Sequence, residues 1–343
     1  LCGLLVAFSS ATQDVAIDAY RIEIAEERLQ AALAATYIFG YRLALLVAGA
    51  GALYLAEFWS WQVSYEVMAA LVGVGALTVL IVREPSVNHF AAAQDIAHEI
   101  EQEAAKLTHL NPRLARLVGW FYAAVAGPFL DFFRRYKELA LVILLMVAVY
   151  RISDIAMGVM ANPFYLDFMG FSKTEVADVT KIFGFFMTIA GSLVGGVMVV
   201  RYGVRRILLL GAIMTAATNL LFVVLAQYPP NIITLAAVVS ADNLSGGIAN
   251  VALIAWLSSM TSASFTATQY ALFSSLMTLP GKFLGGFSGI VVAGFGYAEF
   301  FLVAGIMGVP AILLAIFMIR NGHRLDALAP RNESKPDAEA ESP

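Results

Sequence analysis

This chain is poor in the groups that do chemistry in water. Its 343 residues include one cysteine, Cys2, and four histidines, His89, His98, His109 and His323. A lone cysteine excludes an internal disulfide. Charged residues make up 13% of the chain and hydrophobic ones 60%, where a soluble domain carries roughly 25% charged. No basic patch of the kind that binds nucleic acid is present. All four histidines lie outside the long apolar runs, and no run brings together a nucleophile with partners or a set of metal ligands. A membrane-embedded enzyme is therefore set aside, and no cofactor is implied.

What the chain has instead is apolar length. A membrane span needs about 20 apolar residues, and nine such segments occur, near 1–20, 31–56, 63–82, 138–160, 174–199, 206–226, 232–258, 269–295 and 300–320. The loops between them alternate in charge. Arg21 and Arg28, the stretch from Arg83 to Lys137, Arg201, Arg205 and Arg206, and then Arg324, Arg331 and Lys335 fall on one side. The opposite loops, Glu57–Gln62, Ala161–Lys173, Gln227–Asn231 and Gly296–Glu299, hold only Lys173. The positive-inside rule makes the first side cytoplasmic and puts the C-terminus there. The first segment then runs inward. With Leu1 in place of a start methionine, the pattern is that of a truncated chain, with an odd number of further spans, most simply three, expected ahead of it.

Four regions follow: 1–82 with three spans, a connector at 83–137, six spans over 138–320, and a tail at 321–343. Within the connector, Ala91–Leu110 reads as a soluble helix rich in Glu and Gln. Leu117–Phe133 tempts as a tenth span but is broken by Gly127-Pro128 and Asp131. Counting it would also throw Arg201–Arg206 to the wrong side. It is expected to be an interfacial amphipathic helix, with Trp120, Phe121, Phe129, Phe132 and Phe133 at the headgroups and Arg134, Arg135 and Lys137 on phosphates. The tail, rich in Pro, Glu and Ser, is expected to be disordered.

Seven ionisable residues fall inside apolar segments: Asp14, Arg42, Arg151, Asp154, Lys181, Asp242 and Lys282. A charge at bilayer depth costs at least ~2.5–3.5 kcal/mol, so each must face protein or a watery cavity. At ~1.5 Å per helical residue, Arg42, Lys282 and Asp242 lie near the midplane. Arg151 and Asp154 sit one turn apart further outward, and Lys181 is at a similar height. Asn250 is two turns from Asp242 on the same side. Asp14 and Asp18 lie one turn apart toward the cytoplasm. Together these levels make a polar column, the expectation for a transporter of charged solute. Each group also has a plainer reading: a structural ion pair, a snorkelling lysine, or an interhelical hydrogen bond. The glycines Gly281, Gly285 and Gly289 recur every fourth residue and serve close packing.

The second and eighth segments resemble each other. Gly40-Tyr41-Arg42 and Pro280-Gly281-Lys282 each place a basic residue beyond the middle of an outward-running helix. Two related halves around a site is how many secondary transporters are built. With three spans restored the plan is six plus six, which resembles the major facilitator superfamily. Gly203-Val204-Arg205-Arg206 resembles that superfamily's short Gly-x-Arg-Arg loop, and Arg83-Glu84-Pro85 resembles the end of its sixth helix in sugar porters. Further motifs resemble one family within it, the AmpG muropeptide permeases. They are Ala11-Thr12-Gln13-Asp14 with Asp18-Ala19, Glu26-Glu27-Arg28, Gly40-Tyr41-Arg42-Leu43, Tyr150-Arg151 with Asp154, Asp242-Asn243-Leu244-Ser245-Gly246-Gly247 and Ser264–Leu272. The similarity runs nearly to Arg320. It departs at Arg151, where Lys is expected, and at Asp242, where Glu is expected; charge is kept but reach changes.

The resemblance implies proton-driven import of GlcNAc–anhydro-muramyl peptides across the inner membrane for cell-wall recycling, with a link to β-lactamase induction. It also implies a monomer with small solute, protons and lipid as its partners. A ligand carrying several carboxylates calls for fixed cations, so Arg42, Arg151, Lys181 and Lys282 are candidate ligands. Gln13, Asp242, Asn243, Asn250 and Gln269 are candidates for its polar groups. Asp18, Arg21 and Glu23, with Arg205 and Arg206, are expected to form a cytoplasmic gate. Without a membrane histidine the proton carrier is expected to be a carboxylate. A carboxylate paired with a cation keeps its charge, so Asp14 is expected to serve better than Asp154. Alternatives left open are another anionic cargo on the same fold, such as a peptide or an acetyl-CoA-like compound, and a receptor that senses without moving solute.

Overall fold

A computed structural model describes residues 2–24, 29–82, 98, 102, 111–121, 126–262 and 265–328. Every regular element among them is a helix. Twelve are numbered here: α1 Cys2–Glu23, α2 Gln30–Ala56, α3 Trp61–Ile81, α4 Pro112–Phe121, α5 Gly127–Tyr136, α6 Leu139–Phe168, α7 Thr174–Tyr202, α8 Val204–Leu225, α9 Ile232–Met260, α10 Thr266–Phe295, α11 Tyr297–Arg320 and α12 Gly322–Leu328. Eight of these, α2, α3 and α6–α11, are long and apolar enough to cross a membrane. The ninth expected span, α1, is a continuous helix but does not join them. The cause is its second half, which carries Gln13, Asp14, Asp18, Arg21 and Glu23.

The helix ends follow local chemistry. Asn231 caps α9 by accepting from the Ile233 and Thr234 backbone amides. Ser172 and Glu175 form a reciprocal capping box at the start of α7. The turn from α7 to α8 requires a positive φ, +87° at Gly203, a backbone conformation that glycine adopts without a Cβ clash.

Helices α6–α11 pack around a core that includes Trp256, Phe164, Phe222 and Phe301. The closest approach joins α7 to α9. A Cβ on Gly191 would stand 2.2 Å from the Leu244 carbonyl oxygen, and one on Gly247 would stand 2.5 Å from that of Thr188. Gly281 and Gly285 likewise let α10 approach Ile155 and Val159 of α6. Gly289 has open space around it, so the expected four-residue packing stripe stops one repeat early. Helices α1 and α2 join this bundle through α10 and through α7 and α9, respectively, whereas α3 packs on the far end of α2.

The connector and tail differ from expectation. The connector is helical on both sides of residues 122–125, which lie outside the described residues, as α4 and α5. Trp120, Phe121, Phe129 and Phe133 are exposed, but Phe132 is 3% exposed and packs edge-on to Phe273, centroids 5.3 Å apart. Arg135 also turns inward, because Asp131, one turn earlier on α5, meets it at 2.5 Å. The tail does not begin disordered. Helix α12 occupies its start and buries Leu325. The expected soluble helix (apart from His98 and Gln102), the Arg83–Pro85 motif and residues 329–343 lie outside the described residues.

Candidate functional site: a central charge cluster and a tied basic end

Near its middle, α6 breaks its helical run at Arg151 (φ −106°, ψ 3°). The break aims a guanidinium sideways, and two partners hold it. Asp154 pairs with Nη2, and Nη1 donates to Asn250 Oδ1 of α9 at 2.7 Å. Arg42, from α2, lies close enough for the charges of Arg151 and Asp154 to act on it. Two spans, α6 and α9, therefore bring Arg151, Asp154 and Asn250 together, with Arg42 of α2 within range of their charges. Tyr150, Thr215, Gly246 and Ala249 complete a small cleft around Arg151 and Asp154. A guanidinium offers a planar fork matched to a carboxylate, and here Asp154 and Asn250 occupy it.

Other sequence candidates take different positions. Asp242 accepts from Thr218 Oγ1 at 3.2 Å. Asn243 is used in packing, accepting from Thr188 Oγ1 at 2.8 Å and donating to the Val239 carbonyl at 2.9 Å. Lys181 sits in a wide, π-helical turn of α7, a feature frequent at functional sites; its side chain lies outside the described residues. Lys282 and Gln13 are exposed. Asp14 is exposed on α1, one turn before Asp18.

Gln269 is placed elsewhere than expected. It is 1% exposed at the end of the molecule that carries the basic loops. Its amide donates to Pro128 O (3.0 Å) and Asp131 Oδ2 (2.8 Å) and accepts from the Ser262 amide (2.9 Å) and Arg135 Nη2 (3.2 Å). All four hydrogen-bonding positions of the side chain are filled, so none is left for a sugar hydroxyl. Arg135 also reaches the Met260 carbonyl at 3.1 Å. This knot fastens α5 to the turn between α9 and α10.

Beside it, Arg21 ties the first helices to the last. It is 5% exposed, donates to Ser258 Oγ of α9 at 3.1 Å, and stands 3.7 Å from Asp18. Its guanidinium lies over the rings of Tyr37 and Tyr270, 5.7 and 5.2 Å from their centroids. Glu23 lies two residues beyond Arg21, half-buried. Arg205 lies against Gly322 of α12, and Arg206 is exposed.

Sequence reading missed Tyr37, Ser258 and Tyr270, which carry no charge to mark them. It also missed the Asp131–Arg135 pair and Asn219, and there signals existed. Asp131 and Arg135 have the i,i+4 spacing of a helical ion pair, and Asn219 is a lone amide inside an apolar helix.

Comparisons with known proteins agree with this architecture. The Major Facilitator Superfamily model matches residues 139–342. "Putative transporter AmpG 4" of Rickettsia felis is 30% identical over 317 residues, covering 92% of this chain and 71% of that protein. The "Anhydromuropeptide permease" of Escherichia coli K12 is 31% identical over 315 residues, covering 92% of this chain and 58% of that one. The solved proton:xylose symporter XylE superposes with a TM-score of 0.61 at 18% identity, over 88% of this chain and 66% of its own. These relatives are transporters, not enzymes. The chain is a multi-pass membrane protein that belongs to the major facilitator superfamily, in its AmpG-like branch.

Proposed function

We propose that this protein imports anhydromuropeptides, cell-wall fragments made of GlcNAc–anhydro-muramyl peptide, across the inner membrane in symport with protons. The convergence of Arg42 with Arg151 and its Asp154 and Asn250 partners carries the reading. Arg151 lines a cleft within range of the charge of Arg42 on another span, and the cargo offers carboxylates on its peptide. Similarity to the Escherichia coli anhydromuropeptide permease supports this choice of cargo.

In this reading the basic loops face the cytoplasm and the protein acts as a monomer. Arg21, Asp18, Tyr37, Ser258 and Tyr270 form the inner gate, with Glu23, Arg205 and Arg206 at its margin. Substrate carboxylates compete with Asp154 and Asn250 for Arg151, and displacing Asn250 releases the contact that holds α6 to α9. That exchange gives bound and empty states different contacts, as alternating access requires.

The test is uptake of labelled GlcNAc–anhydro-muramyl tripeptide into proteoliposomes, with and without an inward proton gradient. Gradient-driven uptake, at least tenfold weaker in Arg42→Ala, is expected. Uptake that ignores the gradient would remove the symport claim, and absence of uptake by folded protein would remove the cargo.

A further inference from the structure

We infer that Asp242 is the carboxylate that takes up the coupling proton, in preference to Asp14 or Asp154. The inference rests on the proton-driven reading above and names the group through which it works.

Asp14 and Asp18 lie on α1, Asp154 on α6 and Asp242 on α9. Asp18 stands by Arg21, and Asp154 is paired with Arg151. Asp14 is exposed on α1, away from the Arg151 cluster. Asp242 alone of the four sits deep in the C-terminal bundle without a cation: among the described residues no Lys or Arg forms an ion pair with it. Its side-chain contact is a neutral hydroxyl, Thr218 Oγ1 at 3.2 Å. A carboxylate at bilayer depth without a counter-ion is the group that gains most by accepting a proton.

The surroundings suit a proton better than an ion. Thr218 also bonds the Thr215 carbonyl at 3.0 Å, and Ser245 bonds the Asp242 carbonyl at 3.0 Å. The next residue on α8, Asn219, is fully buried and donates to Ser153 Oγ at 2.5 Å, which donates onward to Ala304 O. Asn219 Oδ1 is buried with no hydrogen-bond partner. Neighbouring residues of α8 thus make two separate polar contacts, Thr218 with Asp242 on α9 and Asn219 with Ser153 on α6, the residue beside Asp154.

That adjacency supplies the coupling. From α6, Asp154 and Tyr165 lie near enough to interact electrostatically with Asp242. From α8 the facing side chain is Thr218. Helix α7 meets α9 through Thr188, and its Lys181 side chain is outside the described residues. On α2, Arg42 acts on the Arg151–Asp154 pair. Neutralising Asp242 removes one negative charge beside that pair, so the cluster draws an anionic cargo more strongly. By linkage the bound anion favours the proton equally.

The experiment compares wild type, Asp242→Asn and Asp242→Glu in proteoliposomes with the labelled tripeptide. Gradient-driven accumulation and gradient-free exchange of preloaded cargo are measured separately. Asp242→Asn is expected to lose at least tenfold in accumulation while keeping exchange, with Asp242→Glu restoring accumulation. Accumulation unchanged in Asp242→Asn overturns the inference. If wild type accumulates cargo without a gradient, the symport reading fails instead. If Asp242→Asn loses exchange as well, infrared pH titration decides: a protonated-carboxyl band present in wild type and absent in the variant supports the assignment, and an unchanged band overturns it.

Discussion

Helices α2 and α3 and helices α6–α11 are all long and apolar enough to cross a membrane but are held in different ways. In α2 the buried positions are Gln30, Ala31, Ala34, Ala35 and Ile38, all in its first third, and in α3 the buried position is Ser64. Val79, Leu80 and Ile81 of α3 are each more than three-quarters exposed. In α9, by contrast, about half the residues are buried. Lipid tails are as apolar as leucine, so burying an apolar side chain gains little inside a bilayer. What distinguishes the C-terminal helices is fit: glycines that let backbones meet, and side-chain hydrogen bonds such as Thr188–Asn243, Asn219–Ser153 and Arg151–Asn250. The N-terminal helices have few of either: α2 packs only its first third on α7 and α9, and α1 adds a polar tie at Arg21.

The largest test of that contrast is steric. Gly191→Val places a side chain where a Cβ alone would be 2.2 Å from the Leu244 carbonyl, whereas Gly75 of α3 has nothing within 4 Å. Overpacking a close contact costs about 1–3 kcal/mol and sometimes more. Gly191→Val is expected to lose most folded protein in detergent, and Gly75→Ala to melt within a degree or two of wild type. Equal melting temperatures for the two would show that the close α7–α9 seam is not what stabilises the bundle.

Next comes Arg151→Ala, which leaves Asp154 without its partner. The pair is about a quarter exposed on each side, so the penalty falls below that of a fully buried pair, at roughly 1–3 kcal/mol. Uptake is expected to disappear. Arg151→Lys keeps the charge without the fork and should retain part of both stability and uptake. Full uptake by the alanine variant would remove Arg151 from the site.

How legible this was depends on the kind of signal. The spans were readable because bilayer thickness imposes length on every one of them; even the expected 232–258 and the observed Ile232–Met260 differ by only two residues. Charges in apolar runs pointed to Arg42, Arg151 and Asp154, since burying a charge demands an explanation. Gln269 was misread because an amide in an apolar helix serves equally as a ligand or as a structural knot. Sequence does not say that Pro128, Asp131 and Arg135 come to meet it. Phe132 and Arg135 were misplaced for a related reason: amphipathicity separates two faces of α5 but does not say which one meets protein.

Arg21→Ala tests the tie itself. The variant loses a charged hydrogen bond to Ser258, about 1.5–3 kcal/mol, and two cation–π contacts of about 0.5–1 kcal/mol each. Because these contacts join α1 and α2 to α9 and α10, the loss should fall on their relative position more than on the melting temperature. Distances between spin labels at Gln13 and Ser275 are expected to broaden toward longer values. An unchanged distribution with a lowered melting temperature would make Arg21 a packing residue and remove it from the gate.

The smallest effect is expected at Gln269. Gln269→Ala removes four hydrogen bonds but leaves Arg135 its contacts to Asp131 and the Met260 carbonyl, so α5 stays attached. The loss is expected to stay local, visible as faster amide exchange confined to α5 and the turn at Met260–Ser262. The matching change in the loosely held region is Gln62→Ala. It removes one exposed bond to Glu66 and should alter exchange nowhere beyond the first turns of α3. If exchange in α5 is unaffected by Gln269→Ala, the connector is held by Phe132 and Tyr136 in the apolar core, and the difference between the two regions is one of packing alone.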